Sequence, residues 1–290
     1  RLAVKASLSY RGQWADLKIR YRLTEPGYQS MGGYYFRQDF ENLTVAPSFR
    51  LFKKAISLHT SVGWQRDNLA NQKKARTDRL ISSALISYTS PQDLTLDVSI
   101  SNDGITQRAG YRPLNDTTRL AQNDLTLAGN LWKLWVGTSA SHTLTASATF
   151  QKLHDQNQFT YQQNQWENRN YTVNYTVQPV TARWDAEVGL TYTHSQAQDF
   201  GSRFYGFTVS MGQRLLSHDR VRLRLSTTCL RSYETIQDQS QAGFVIDATL
   251  NLTYRLTSRQ QLRVYQTRSL STSFQRHLQQ QGNIQWTFSF

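Results

Sequence analysis

The chain has 290 residues, a formal net charge of +13 and a mean hydropathy of −0.59. Its 7 Trp, 15 Tyr and 13 Phe, set against only 5 Pro, exclude a disordered or collagen-like chain. No stretch approaches the roughly 18 consecutive apolar residues of a membrane helix, which excludes a helical membrane protein. The single cysteine, Cys229, excludes an intramolecular disulfide and a thiolate metal cluster.

Apolar and polar residues alternate with period two along most of the chain. Near the start, the apolar set Leu17, Ile19, Tyr21 and Leu23 alternates with Asp16, Lys18, Arg20 and Arg22. A period of two places the two sets on opposite faces of a β-strand. Similar runs predict strands at 2–10, 41–52, 55–65, 80–89, 93–102, 143–151, 169–177, 184–192, 204–211, 221–229, 244–256, 262–268 and 284–290. With a less regular segment at 124–136, this gives about fifteen strands and no helix.

The predicted connections alternate in length. Short links are expected at 11–13, 53–54, 90–92, 138–141, 178–180, 217–220 and 258–260. Longer polar links are expected around 25–38, 67–78, 103–121, 154–167, 195–203, 233–242 and 270–280. Outer-membrane barrels combine short periplasmic turns with longer extracellular loops, so the alternation favours that architecture.

Run length and aromatic placement favour a membrane over water. Many runs keep their alternation near the ~9–11 residues that a tilted strand needs to cross a bilayer, beyond the ~5–6 residues typical of globular strands. Aromatic residues lie at or near the ends of the apolar runs, as interfacial girdles require: Tyr10, Trp64, Tyr88, Trp184, Tyr254 and Phe290. A soluble all-β adhesin or sandwich, with the apolar face packed inside, remains the alternative fold.

The last strand resembles the C-terminal signal of outer-membrane barrels, which the barrel-assembly machinery reads. Its apolar face is Ile284, Trp286, Phe288 and the final Phe290. The chain as a whole resembles large barrels of Bacteroidetes-type outer membranes, with an aromatic, Gly-containing loop running from Glu25 to Phe36. The resemblance implies a bacterial outer-membrane location and contact with outer-membrane lipid.

These observations predict an all-β fold, an antiparallel up-and-down transmembrane β-barrel in which residues 1–290 form a single domain. An odd number of strands leaves Arg1 on the extracellular side, whereas bacterial barrels normally have an even number. We therefore expect at least one further strand, and an export signal, upstream of Arg1.

If the apolar faces meet lipid, the charged residues of the alternate positions line the lumen. The candidates are Lys18, Arg20, Arg22, Arg50, Asp185, Glu187, Arg222, Arg224, Asp247 and Arg255. Two interpretations stay open: the arginines and lysines focus a positive potential that favours anions, or charges of both signs bridge one another across a wet wall.

Basic residues in two long links suggest lipopolysaccharide as a partner, since Arg binds phosphate bidentately. They are Lys73, Lys74, Arg76 and Arg79 in or beside one link and Arg108, Arg112 and Arg119 in the other. Nucleic acid is not expected as a partner, because the basic residues are spread over every strand pair and no binding motif accompanies them.

The sequence favours a channel, or the barrel part of a transporter. An alternative is a non-conducting scaffold that binds surface lipoproteins or secretion components through Tyr28, Tyr34, Tyr35 and Phe36. No cofactor, metal site or enzymatic activity is expected, because the chain lacks catalytic motifs. The one catalytic arrangement considered is His154 and Asp155 with His194 near the rim.

Overall fold

The computed structural model describes residues 2–28, 38–115, 119–160, 164–216, 220–236, 239–257, 260–272 and 277–288. The strands are β1 (Ala3–Arg11), β2 (Ala15–Thr24), β3 (Phe40–Leu51), β4 (Ile56–Asp67), β5 (Ala75–Ser90), β6 (Leu94–Ala109), β7 (Ala121–Val136), β8 (Ala140–Asp155), β9 (Trp166–Pro179), β10 (Trp184–Ala197), β11 (Phe200–Leu215), β12 (Val221–Ile236), β13 (Gln239–Arg255), β14 (Gln260–Ser271) and β15 (His277–Phe288). A short 3-10 turn spans Phe52–Lys54. Among the described residues, no helix is long and apolar enough to cross a membrane.

The fifteen strands follow one another in sequence order in an antiparallel sheet. The predicted all-β, up-and-down arrangement of fifteen strands is therefore confirmed. The chain divides into two compact units: unit 1 is Arg1–Ser90, Thr95–Gly129 and Thr149–Glu167, and unit 2 is Pro91–Leu94, Asn130–Ala148 and Asn168–Phe290.

In unit 1 the strand register gathers most apolar residues of β1 to β5 on one face, whereas Ile81 and Leu85 lie on the other. Leu8 pairs with Ile19, Ile19 with Val45, and Val45 with Val62. Residues that are Cα partners in a ladder lie on the same side of the sheet. We call this side the apolar face and the opposite side, which carries Arg20 and its partners Ser7 and Thr44, the polar face.

Unit 2 has the same two faces. On its apolar face Met211 pairs with Leu225, and Leu225 pairs with Leu250. On its polar face Ser210 pairs with Ser226, and Ser226 pairs with Thr249. Each unit therefore separates apolar from polar side chains across the thickness of the sheet.

Many large side chains of the apolar faces are exposed, although the charged residues Lys18, Arg20 and Arg224 of the polar faces are exposed too. Leu190 is 61% exposed, Leu225 is 53% exposed and Ile284 is 72% exposed. Among the described residues only Phe40 and Ala121 are buried hydrophobic residues. The buried polar residues are more numerous: Thr24, Asp39, Gln65, Asn68, Asp155, Asn157, Ser202, Ser210 and Ser232. This is the reverse of a water-soluble domain, whose apolar residues form the core.

Two segments that the sequence predicted to be long links lie mostly within strands. The segments 195–203 and 233–242 were expected to be long polar links, but β10 runs to Ala197 before β11 begins at Phe200, and β12 runs to Ile236 before β13 begins at Gln239. Polar alternation there belongs to strands that continue past the apolar stretch, so composition alone did not mark where the ladder ends.

Gly206 in β11 tests how closely β11 and β12 approach. A Cβ at Gly206 would lie 1.9 Å from the carbonyl oxygen of Cys229 and 2.8 Å from the Cα of Leu230, whereas a Cβ at Gly201 in the same strand would meet only the Cβ of Thr235 at 3.8 Å. We expect Gly206→Ala to lower the free energy of unfolding by about 1–3 kcal/mol, because backbone must shift to relieve the overlap. Gly201→Ala is the matched control and should change it little. Guanidinium titration followed by tryptophan fluorescence measures both, and equal losses would contradict the register of β11 and β12.

Candidate functional site: the polar face of the strands

A strip of positive charge runs along the polar face of β1 and β2 in unit 1. Lys5 is the cross-strand partner of Arg22. Lys18 and Arg20 continue the strip along β2, and both are exposed. Like charges placed directly opposite each other destabilise a ladder unless water or an anion screens them.

The side chains beside this strip are small and uncharged. Arg20 lies between Ser7 and Thr44, and Lys18 lies between Ser9 and Ala46. Neither Lys18 nor Arg20 makes an ion pair within the part of the chain that the structure describes, whereas the guanidinium of Arg22 stacks on Phe40 at 4.9 Å. The strip therefore presents positive charge without compensating carboxylates on the adjacent strands.

Arg50 behaves differently from the strip, because it is paired. Its Nη2 donates to both carboxylate oxygens of Asp16 at 2.7 Å and to the carbonyl oxygen of Gly12 at 3.1 Å. The two side chains are about one third exposed, at 32% and 33%. This contact fastens the β1–β2 turn to β3 and leaves little of the Arg50 charge available for a ligand.

In unit 2 the polar face carries a mixed cluster around Arg224. The Nη2 of Arg224 donates to Glu187 at 2.5 Å and lies 3.7 Å from Asp185. Next to it, Arg222 has Arg214 and Thr253 as its cross-strand partners. A cavity of about 400 Å³ lies beside this cluster and is lined by Asp185, Arg214, Arg222, Arg224, Asn251, Thr253 and Gln178, among others.

The remaining predicted residues do not join this cluster through a described contact. Asp247 has Thr228 and Ser269 as its cross-strand partners, and Arg255 ends β13 opposite Gln261. On β15, Ile284 and Trp286 lie on the apolar face and are exposed. The side chain of Phe288, which pairs with Gln260, and the whole of Phe290 lie outside the described residues, as do Tyr34, Tyr35 and Phe36.

Hydroxyl contacts that were not predicted join the polar face of β11 to that of β12, and the polar face of β13 to that of β14. Ser210 and Ser226 are 2.8 Å apart, Thr208 and Thr228 are 2.9 Å apart, and Thr249 and Thr267 are 3.2 Å apart. The signal was present as Ser or Thr at alternate positions of neighbouring strands. Because pairing depends on register, the partners could not be matched before the ladder was known.

The polar face of unit 1 also carries an ion pair whose arginine was expected elsewhere. The Nε of Arg79 donates to Asp103 at 2.7 Å, and a second bond joins the same two side chains. Arg79 was grouped with the basic residues of a long link, but it lies inside β5 with Ser83 and Ser87 on the same side.

Asp155 has a structural role at the end of β8. It is 2% exposed and accepts hydrogen bonds from the Asn157 amide at 2.9 Å, the Thr160 hydroxyl at 2.6 Å and Asn164 Nδ2 at 2.9 Å. Burial alone would raise the pKa of Asp155, but these hydrogen bonds outweigh it and lower the pKa below its ordinary 3.8. A carboxylate stabilised in this way is a poor general base, which argues against the catalytic arrangement of His154 and Asp155.

Among the described residues, no group of three or more His, Cys, Asp or Glu could hold a metal ion.

No protein-family model matches the chain. No curated protein matches it either. Several solved structures resemble it, and three of them are described here. The FrpB iron transporter from Neisseria meningitidis (F3-3 variant) has a TM-score of 0.42 and 8% identity over 93% of this chain and 60% of its own. The siderophore receptor PirA from Pseudomonas aeruginosa has a TM-score of 0.42 and 10% identity over 98% of this chain and 68% of its own. The ferric-catecholate import receptor Fiu from E. coli K12, in its open form, has a TM-score of 0.38 and 9% identity over 93% of this chain and 62% of its own.

Proposed function

We propose that the chain forms a transmembrane β-barrel of a bacterial outer membrane and acts as a channel or as the barrel part of a transporter. The observation that carries this proposal is the reversed placement of side chains. Large apolar residues such as Leu190 and Leu225 are exposed, while Ser210 and Ser232 are buried. In a bilayer the exposed apolar faces meet hydrocarbon, and the polar faces enclose water.

A soluble adhesin would need the opposite arrangement. Two sheets of a sandwich bury their apolar faces against each other. The described residues include only Phe40 and Ala121 as buried hydrophobic residues, which is far too little apolar burial to offset the conformational entropy of a domain of this size.

Strand length supports a membrane span. The strands have between 9 residues in β1 and 17 residues in β13. About 9–11 residues cross a bilayer at the usual tilt, so the longer strands have residues to spare beyond the hydrocarbon. A spanning sheet must also pair its edge strands, since an unpaired backbone in lipid costs several kcal/mol. Closure of residues 1–290, together with any further strand upstream, into one barrel domain meets this requirement.

The location and partners follow from the same proposal. The apolar faces would contact outer-membrane lipid, and β15 would serve as the signal read by the barrel-assembly machinery. A surface lipoprotein bound through the aromatic loop, and the likeness to Bacteroidetes-type barrels, remain hypotheses. We assign transport rather than catalysis, because the oxygens of Asp155 are occupied by its own loop.

The polar strip favours anions within the proposed lumen. Lys5 and Arg22 lie opposite each other, and Lys18 and Arg20 have uncharged neighbours on β1 and β3, so the strip carries charge of one sign. A low-dielectric wall strengthens the potential of such a strip. The pairs Arg50–Asp16 and Arg224–Glu187 instead bridge strands, so both interpretations of the polar charges find support, each in different residues.

Two neighbouring residues of β10 test the membrane orientation. Leu190 is on the apolar face opposite Phe207, and Thr191 is on the polar face opposite Gly206. We expect Leu190→Arg to lower the free energy of unfolding in phospholipid vesicles by about 2–4 kcal/mol, because it places a guanidinium in hydrocarbon. Thr191→Arg, the matched control, should lower the free energy of unfolding by clearly less. A larger loss of unfolding free energy for Thr191→Arg than for Leu190→Arg would overturn the orientation. An unmodified protein that stays monomeric without detergent would favour the soluble adhesin.

Charge reversal in the strip tests the pathway. With the full-length protein in planar bilayers under a salt gradient, Lys18→Glu with Arg20→Glu should shift the reversal potential towards cation selectivity. Lys53→Glu with Lys54→Glu, in the 3-10 turn outside the strands, makes the same charge change and should shift it less. An equal shift in both variants would contradict a lumen lined by the strip. Silence of the correctly folded protein would contradict a conducting pathway and favour a scaffold.

A further inference from the structure

In β1–β5 and β10–β15, where the strand register is described, charged residues on the apolar faces occur near one end of the strands only. We call the end at which even-numbered strands finish the loop end, and the other end the turn end. In unit 1 the apolar rows of β3, β4 and β5 stop at a row formed by Glu41, Arg66 and Asp78. The next row towards the turn end is Leu43, Trp64 and Leu80, so the change from apolar to ionic takes one step along each strand.

Unit 2 shows the same asymmetry independently. The charged residues of its apolar face in β10 to β15 are Arg203, Arg231 and Arg268, and all three lie in the half of their strand nearer the loop end. At the turn end, the apolar faces of β1–β5 and β10–β15 carry no Asp, Glu, Lys or Arg in the described register. Aromatic residues such as Tyr254 and Trp286 lie there instead.

At the loop end of unit 1, the ionic row borders a cavity of about 700 Å³, here called the unit 1 rim cavity. It is lined by Tyr21, Glu41, Arg66 and Arg76, among others. Glu41 accepts a hydrogen bond from the Tyr21 hydroxyl at 2.8 Å and from Arg66 Nε at 2.5 Å. The bond to Glu41 uses only the Nε of Arg66, and the guanidinium stacks on Trp64 at 5.1 Å. The terminal nitrogens of Arg66 have no hydrogen bond to the described residues and can therefore bind a ligand.

At the loop end of unit 2 lies a cavity of about 510 Å³, the unit 2 rim cavity. It is lined by His194, Arg203, Tyr233 and Asp199, among others. Tyr233 stacks on Tyr205 at 6.0 Å and lies under the guanidinium of Arg231 at 5.2 Å. Arg231 also contacts the ring of Phe244 at 5.6 Å, so aromatic rings hold a cation at the border of the apolar face.

Both rim cavities contain a buried nitrogen with an unmet hydrogen bond. The Nε of Arg76 and the Nδ1 of His194 are buried and have no hydrogen-bond partner among the described residues. Buried polar atoms are rarely left unpaired, so water or a ligand completes the hydrogen bond of each nitrogen. The two atoms belong to different units, which makes the observation independent in each.

Resting on the proposed function, we propose that the rim cavities bind phosphorylated glycolipid headgroups of the outer leaflet. Arg66, Arg76 and Arg203 match phosphate, which guanidinium groups bind through parallel hydrogen bonds. Glu41 and Asp199 would repel a phosphate but accept hydrogen bonds from sugar hydroxyls, so a mixed-charge cavity fits a phosphosugar better than a simple phospholipid. The apolar rows below the cavities then contact the acyl chains.

The basic residues predicted to bind lipopolysaccharide are only partly those that line the cavities. Lys73 pairs with Asp39 at 2.9 Å, and Arg79 pairs with Asp103 on the polar face. Of that group, Arg76 alone lines the unit 1 rim cavity. The strand register instead places Arg66 and Arg203 in the cavities. Both lie inside strands, and neither was among the basic residues predicted to bind lipopolysaccharide.

Binding of purified lipid A to the full-length protein in detergent tests the proposal. Native mass spectrometry would compare bisphosphorylated lipid A, dephosphorylated lipid A and phosphatidylglycerol. The variants are Arg66→Gln with Arg76→Gln, and Arg203→Gln with Arg231→Gln. The matched control, Lys53→Gln with Lys54→Gln, removes the same charge at the turn end. Arg203→Gln alone provides a milder change if a double variant fails to fold.

We expect each double variant to bind bisphosphorylated lipid A about tenfold more weakly, with the control unchanged and dephosphorylated lipid A bound weakly by all. Equal binding by all proteins would overturn the rim cavities as sites. Equal affinity for phosphatidylglycerol would overturn the glycolipid assignment. Either failure, combined with the expected difference between Leu190→Arg and Thr191→Arg, would leave the membrane orientation standing and reject only this proposal.

Discussion

One constraint shapes the sheet: away from the loop end, the charged side chains of β1–β5 and β10–β15 lie on the face opposite the apolar ones. The strict period of two meets this constraint, because neighbouring residues of a strand point to opposite sides. A shift of one residue between β12 and β13 would bring Asp247 and Asn251 onto the side of Leu225 and Cys229. Register is therefore fixed mainly by the cost of placing charge among apolar side chains, and turns adapt to it.

This constraint explains why the polar face can serve two purposes. Paired charges, such as Arg224 of β12 with Glu187 of β10, reach across the strand between them, and hydroxyl contacts, such as Ser210 with Ser226, connect neighbouring strands; neither needs an apolar core. Unpaired cations, such as Lys18 and Arg20, cost little where water reaches them and remain available to act on ions. Stability and selectivity thus come from different residues of one face.

Much of the fold could be predicted from the sequence, because period two is visible residue by residue. Runs such as 16–23 and 244–256 predict the strands one by one, and together they gave the fifteen strands that the described residues form. Strand ends were harder to predict. The polar composition of segments 195–203 and 233–242 predicted loops, although most of their residues pair with a neighbouring strand. Pairwise contacts, including Arg79 with Asp103 and the row of Glu41, Arg66 and Asp78, depend on register between strands, which a single sequence does not encode locally. The candidate polar-face residues were found by alternation, whereas the rim cavities needed both register and side-chain geometry.

Thiol accessibility along β12 would show directly whether the apolar face meets lipid and the polar face meets water. In a Cys229→Ser background, single cysteines at Leu225, Ser226, Thr227 and Thr228 would be labelled in vesicles with a small membrane-impermeant methanethiosulfonate reagent. Leu225 and Thr227 lie on the apolar face, and Ser226 and Thr228 lie on the polar face. We expect the cysteines at positions 226 and 228 to be labelled and those at positions 225 and 227 to be protected by lipid. Labelling at 225 and 227 with protection at 226 and 228 would contradict this expectation.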